Sequence, residues 1–98
     1  MKRSEALRKL KNHADALKAL GATSLYLFGS TARDKANAVS DIDLFLDYDP
    51  RGRFSVLDLV AAKRLLEKGL GVEVDLTTRN GLHPLIRKRV EAEATRVF

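Results

Sequence analysis

Gly29-Ser30, followed after ten residues by Asp41-Ile42-Asp43, is the stretch that decides the fold. A short apolar run precedes the glycine, and another begins at the isoleucine. If the second run is a strand, Asp41 and Asp43 point to the same face of it, because side chains alternate along a strand. Two carboxylates then lie beside a glycine turn whose backbone N–H groups can hold phosphate. The pattern predicts a site for a divalent cation and a triphosphate, which is the equipment for moving a nucleotidyl group.

The sequence on either side predicts helices and strands around one small sheet, an α/β fold of the α+β type. Helices are expected where apolar residues recur every three or four positions, and strands where they alternate. In the strand that holds the aspartates, Ile42, Leu44 and Leu46 form the face that we expect to point into the core. The relative direction of the strands cannot be read from the pattern. The expected helices are 4–20, 30–35, 84–94 and one from 55 to the glycines at 69 and 71, and the expected strands are 24–28, 41–47 and 72–76.

The composition is that of one globular domain spanning 1–98. Apolar residues make up 45% and charged residues 32% of a chain that is long enough to bury a modest core. No apolar run is long enough to span a membrane and no secretory signal is visible, so we expect a cytoplasmic protein without a membrane partner. The absence of cysteine excludes disulfides and thiolate metal sites.

The net charge of +5 permits two interpretations. One is an ordinary solvated surface, and the other is a polyanionic partner such as a nucleotide, an RNA or an acidic protein. Aromatic residues make up only 6% of the chain and do not alternate with the basic residues, as they do in proteins that bind single strands. Direct RNA binding is therefore the weakest hypothesis.

A third carboxylate completes the predicted site. Asp75 lies on the polar face of the expected strand 72–76 and can stand beside Asp41 and Asp43 if the two strands are neighbours. Its predicted role is to bind the catalytic metal and to accept the proton of the incoming hydroxyl. The alternatives are that Asp75 is an ordinary surface residue, or that Glu73 on the same face takes its place. The aspartate pair can bridge two Mg²⁺ ions, which would offset the repulsion between like charges on one strand face.

Three residues near the glycine turn are candidate nucleotide ligands. Gly29 lets the backbone approach a phosphate closely. Ser30 can donate to a phosphate oxygen or cap the short helix that follows. Arg33, one turn later, can reach the triphosphate, although a structural ion pair explains it equally well. These three residues indicate little by themselves, and they suggest a nucleotide site only because the aspartate pair follows them in the sequence.

The segments 27–33 (LFGSTAR) and 40–44 (SDIDL) resemble the signature of the minimal nucleotidyltransferases of the DNA polymerase β-like superfamily. Within that superfamily the similarity is greatest to the MNT antitoxins, which are encoded beside HEPN toxins. The resemblance covers at least 25–76 and implies a nucleotidyltransferase fold, with a small mixed sheet of about three strands flanked by helices. The gap of ten residues between Gly-Ser and Asp-x-Asp carries it.

The resemblance also implies roles for the site residues. Gly29 and Ser30 would bind the nucleotide phosphates. Asp41 and Asp43 would bind two Mg²⁺ ions, and Asp75 would complete the triad.

The activity implied by the resemblance is transfer of AMP from ATP to a tyrosine near the active site of a HEPN ribonuclease, which silences that toxin. The toxin's own motif, Arg, four to six residues, His, any residue, Tyr, is absent, because neither His13 nor His83 has Tyr two positions later. The chain is short, so we expect a hetero-oligomer in which the partner supplies the wall that holds the acceptor. The alternative is a non-catalytic antitoxin that neutralises its partner by occlusion.

Overall fold

The computed structural model describes residues 1–33 and 41–98. Within these residues four strands form one mixed sheet in the order β3-β2-β1-β4, and helices flank it. The expected fold class is therefore confirmed, with a short fourth strand added to the expected three. The strands are β1 (Ala22–Phe28), β2 (Ile42–Tyr48), β3 (Val74–Thr78) and β4 (Thr95–Arg96).

The directions of the strands, which the sequence pattern left open, differ from pair to pair. β1 is antiparallel to both β2 and β4, whereas β2 and β3 are parallel. A parallel pair needs a long crossover, and the helix between β2 and β3 provides it. β4 pairs with Tyr26 and Leu27 of β1. A two-residue strand has too few side chains to produce an alternating pattern, so no sequence pattern indicates β4.

The helices are α1 (Arg3–Lys11), α2 (Ala14–Leu20), α3 (Gly29–Ala32), α4 (Val56–Leu70) and α5 (Pro84–Glu93), with a short 3-10 helix at Arg79–Gly81. The expectation of one helix over 4–20 is wrong, because the chain turns at Asn12 and His13 between α1 and α2. The break turns both short helices so that each buries a leucine, Leu10 and Leu17, completely. α3 occupies the start of the expected helix 30–35, and the end of that range lies outside the described residues.

The main core lies between one sheet face and α1, α2 and α4. Ile42, Leu44 and Leu46 of β2 are essentially buried in it, which confirms the predicted inward face. Full burial of one leucine contributes about 1.5–3 kcal/mol, so these side chains hold β2 in its orientation. No helix in the described parts of the chain combines the length and the apolar character needed to cross a bilayer.

The opposite face of the sheet is covered over part of its length only. Phe45 shares this face with the aspartates of β2, yet it is completely buried. It stacks on Tyr26 with the ring centroids 4.8 Å apart and packs against Leu82 and Val90. The polar alternation of β2 concealed this second cluster, because a strand pattern does not reveal which helix will cover a face. The polar half of the same face is left for the carboxylates.

Candidate active site

Two of the predicted carboxylates lie directly opposite each other. Asp43 of β2 is paired in register with Asp75 of β3, and on its other side Asp43 pairs with Phe28 at the end of β1. Paired residues on neighbouring strands point to the same face, with Cβ atoms about 5 Å apart. The sheet thus brings Asp75 beside the Asp-x-Asp pair, as the sequence predicted for neighbouring strands.

The electrostatics of Asp43 show that negative charge converges on it. Its side chain is half-buried, and burial raises the pKa of its carboxyl above the ordinary 3.8. The charges of Asp75 and then Asp41 raise this pKa further, whereas Arg33 opposes them. Asp41, just before β2, and Asp75 are both exposed. Relief of such repulsion by a bound cation is the property expected of a divalent-metal site.

Carboxylate oxygens are suitable ligands for Mg²⁺, but these three side chains do not enclose a metal position. In the described part of the chain no three acidic or histidine side chains stand close enough together to enclose a metal ion as they are. The donors closest to forming such a group are Asp43 and Asp75, with Asp41 at the rim. Mg²⁺ commonly takes only one or two protein carboxylates, with substrate phosphates and water completing the octahedron. The residues therefore fit a cation that arrives together with a nucleotide.

Gly29 lies directly against Asp43. Its φ is +76°, which is unfavourable for a side chain, and an added Cβ would collide with the Oδ2 atom of Asp43. Gly29 also begins α3, with Ser30 in the same turn. The glycine turn is therefore in direct contact with one carboxylate of the motif, that of Asp43.

Arg33 forms the structural ion pair that was one of its two interpretations, and its contact with a nucleotide stays a prediction. Its guanidinium forms an ion pair with Glu93 of α5 at 3.3 Å, and both side chains are about half exposed. Its positive charge also lowers the pKa of Asp43. Arg33 is thus an ion-pair partner that faces the acidic site.

A cleft of about 410 Å³ opens beside the glycine turn. Gly29 and Arg33 line one side of it, and Ile86, Arg89 and Glu93 of α5 line the other. The sequence pattern did not identify the α5 residues. The basic residues of α5 are consecutive, at 87–89, and match no recognisable motif, so only the packing of α5 onto the second sheet face shows which of them meet the site.

The third aspartate on this face of β2, Asp47, belongs to an ion-pair network and not to the candidate metal site. Asp47 accepts two hydrogen bonds from Arg79, at 2.8 and 2.9 Å, and one from the hydroxyl of Ser24 at 2.9 Å. The hydrogen bond from Arg79 is the main reason that the pKa of Asp47 is lowered. Arg79 also donates to Glu91 of α5 at 2.7 Å. Asp47 is therefore already neutralised and is not available to a metal.

Comparison with known sequences agrees with this geometry. The profile of a family described as "Nucleotidyltransferase domain" matches residues 10–97. A candidate protein adenylyltransferase of Methanocaldococcus jannaschii is 44% identical over 72 residues, which are 74% of this chain and 75% of the relative. The protein adenylyltransferase MntA of Thermococcus cleftensis is 32% identical over 77 residues, covering 79% of this chain and 76% of that protein.

Solved structures give the same fold. A candidate minimal nucleotidyltransferase, 38% identical in sequence, superposes with a TM-score of 0.79 over 97% of this chain and 95% of its own. A chain from the complex of a tri-AMPylated HEPN toxin with its MNT antitoxin, from Shewanella oneidensis, superposes with a TM-score of 0.65. That chain is 17% identical, and the match covers 94% of this chain and 71% of the other, so it supports the fold alone.

Proposed function

Since this chain belongs to the nucleotidyltransferase domain family and is one of its minimal members, we propose that it transfers AMP from Mg²⁺-bound ATP to a tyrosine of a HEPN-type ribonuclease toxin, and so acts as an antitoxin. Its relatives are named protein adenylyltransferases, which supports a protein as the acceptor. The Shewanella complex of an AMPylated HEPN toxin with an MNT antitoxin supports the kind of partner.

One observation carries the proposal. Asp43 stands in register with Asp75 on the neighbouring strand and in contact with Gly29 at the start of α3. A carboxylate pair next to a glycine turn matches the charge of a nucleotide whose phosphates are accompanied by a cation. An occluding protein would have no need of this arrangement.

The transfer needs few chemical groups. The tyrosine oxygen forms a bond to the α-phosphorus, the bond from that phosphorus to the oxygen bridging to the β-phosphate breaks, and pyrophosphate leaves. Asp75 accepts the proton of the tyrosine hydroxyl, while Gly29 and Ser30 hold phosphate oxygens. Mg²⁺, held by Asp41, Asp43 and Asp75, supplies neutralisation of the phosphate charge when bound. Most of the rate then comes from holding the two reactants in line.

The test is the intact mass of the partner. A HEPN-type partner, sought first in the product of the neighbouring gene, is incubated with this chain, ATP and Mg²⁺, and is then weighed by mass spectrometry. We expect one or more added AMP units on tyrosine, and we expect the ribonuclease to stay inactive after this chain is removed. Asp43→Asn is the matched control. It removes the carboxylate but keeps the shape, and loss of a repelled charge should leave the fold at least as stable.

An unchanged partner mass contradicts the proposal. If the ribonuclease is then silenced only by a stoichiometric amount of this chain, and recovers when the two are separated, occlusion is the mechanism. AMP added equally well by Asp43→Asn would show that the acidic site is elsewhere.

A further inference from the structure

The cleft between α3 and α5 lies beside the glycine turn. Its described lining includes Gly29, Arg33 and Arg89 but none of Asp41, Asp43 and Asp75. The walls carry two guanidinium groups and one carboxylate, that of Glu93, so the cleft has a net positive charge. A cleft of this charge attracts an anion.

The arginines of this region differ in their partners. Arg33 is paired with Glu93, and Arg87 of α5 donates to Glu91 at 3.1 Å and to Asn80 at 3.2 Å. Arg89, between these pairs on α5, makes no ion pair with any described carboxylate. An unpaired arginine on the wall of a cleft is free to form charge-assisted hydrogen bonds with an incoming ligand.

The proposed reaction determines which part of ATP reaches this cleft. The α-phosphate must lie at Asp43 and Asp75, where the chemistry occurs, and the turn at Gly29 takes the next phosphates. The terminal phosphates therefore extend beyond the turn, toward Arg33 and Arg89. Pyrophosphate carries several negative charges as it leaves, and arginine matches phosphate geometry better than any other side chain.

We propose that Arg89 of α5 binds the terminal phosphates of ATP and neutralises the departing pyrophosphate, so that the α3–α5 cleft is the leaving-group subsite. Arg33 binds the same phosphates from the opposite wall, where its ion pair with Glu93 holds it toward the cleft. This assignment rests on the proposed function and names the side of the site from which pyrophosphate leaves. It also gives α5, which holds none of the sequence motif, a direct part in substrate binding.

Calorimetry with three ligands tests the assignment. Mg²⁺-ATP, Mg²⁺-pyrophosphate and AMP are titrated into the wild-type chain, Arg89→Gln and Arg89→Lys. Loss of one charge-assisted hydrogen bond should weaken ATP and pyrophosphate binding by about tenfold or more in Arg89→Gln, and less in Arg89→Lys, while AMP binding stays unchanged. Lys88→Gln is the matched control, because Lys88 precedes Arg89 on α5 but does not line the cleft, and it should bind all three ligands normally.

Three results would overturn the assignment. Equal weakening of AMP and ATP would put the nucleoside in the cleft, unchanged binding of pyrophosphate by Arg89→Gln would exclude a phosphate contact, and a wild-type chain that binds neither ATP nor pyrophosphate would leave nothing for Arg89 to hold. A different result would contradict the proposed function. A wild-type chain that binds both ligands through Arg89 but adds no AMP to its partner keeps the subsite and loses the transfer.

Discussion

The missing side chain at Gly29 decides where the carboxylate of Asp43 can stand. The Oδ2 atom of Asp43 occupies the position that a Cβ would need, and the φ of +76° is one that glycine adopts without cost. Oδ2 is the far end of a flexible side chain, so an added methyl group could push it aside. The collision would then affect the direction of the carboxylate more than the stability of the fold.

A pair of glycine substitutions separates these two effects. Gly71, after α4, has a similar φ of +73° with nothing near its missing Cβ. We expect Gly29→Ala and Gly71→Ala each to lose about 1–2 kcal/mol of stability, since both put a side chain into left-handed backbone. Only Gly29→Ala should lose AMP transfer. Urea unfolding and the partner's intact mass measure the two properties.

Two other outcomes of these glycine substitutions would contradict the prediction. If Gly71→Ala loses as much transfer as Gly29→Ala, activity follows stability and the contact with Asp43 is irrelevant. If Gly29→Ala stays fully active, the carboxylate of Asp43 is not needed in its present position.

The sequence contained most of the site at the scale of the residue. Asp41, Asp43 and Gly29 were predicted because their relation is local, set by strand alternation and a short spacing. The position of Asp75 required one further condition, that β2 and β3 be neighbours. Arg89 could not be found, because its relation to the site depends on how α5 packs, and no pattern within α5 records that.

At the scale of the elements, Arg79 joins β2 to α5. Its guanidinium bonds to Asp47 of β2 and Glu91 of α5, and lies 5.0 Å from the ring centroid of Tyr26 and 4.9 Å from that of Phe45. The side chain is about a quarter exposed, so solvent screens these contacts only partly. Arg79 therefore fixes the position of the helix that we expect to carry the leaving-group subsite.

Arg79→Met should destabilise the fold by about 1–3 kcal/mol at pH 7, because it removes the main donor to Asp47 and one of the two arginine donors to Glu91, both part-buried carboxylates. The effect depends on pH. Arg79 holds the pKa of Asp47 below the ordinary 3.8, so this stabilisation is present above pH 3.8 and is lost as the pH falls through the lowered value. The difference in unfolding free energy between wild type and variant should shrink in acid, as measured by urea unfolding from pH 7 downward.

Arg87→Met is the matched control for this prediction. Arg87 shares Glu91 with Arg79, but its contact is a pair four residues apart on α5, worth only a few tenths of a kcal/mol. If Arg79→Met keeps the same deficit at every pH, packing on Tyr26 and Phe45 is responsible and the ion pairs are not.

Among the elements, the apolar inner face of β2 was predicted correctly, and the expected helix from 55 lies close to the observed bounds of α4, Val56–Leu70. α4 begins with a capping box, in which the N–H of Ser55 donates to Asp58 at 2.9 Å. The break between α1 and α2 was missed, since Asn12-His13 contains neither glycine nor proline. Tertiary packing of the two short helices makes that break favourable.

At the scale of the whole molecule, the chain is a thin slab. Its extents are 37 × 31 × 18 Å, and the smallest corresponds to a sheet with little more than one full layer of helices. In the described parts of the chain, the second layer consists of α5 and the segment before it. The described residues therefore leave the carboxylate half of this face open to a nucleotide and to a protein acceptor.

An open site without its cation should bind ATP poorly. We expect Mg²⁺-ATP to raise the melting temperature by about 10–20 °C, since saturation at about a hundred times Kd adds about 2.7 kcal/mol. ATP in EDTA should give no shift, because Asp41, Asp43 and Asp75 repel a bare triphosphate. Thermal unfolding checks both conditions.

The double variant Asp41→Ala with Asp43→Ala is the control for the metal. It should melt at the wild-type temperature or above it without ligand and should show no shift with Mg²⁺-ATP. An equal shift with and without EDTA would disprove a metal-dependent site.

Because β2 and β3 pair in parallel, the packing of the core also sets the register that places Asp75 beside Asp43. Val74 and Leu76 are buried on one face of β3, and Asp75 between them points to the other. A slip of one residue would reverse every side chain of the strand, exposing both aliphatic residues and pressing the aspartate into the core. A one-residue slip that moved Asp75 away from Asp43 would thus also unfold the protein. The core therefore excludes a stably folded molecule in which β3 has slipped by one residue, and the site needs no further means of preventing that slip.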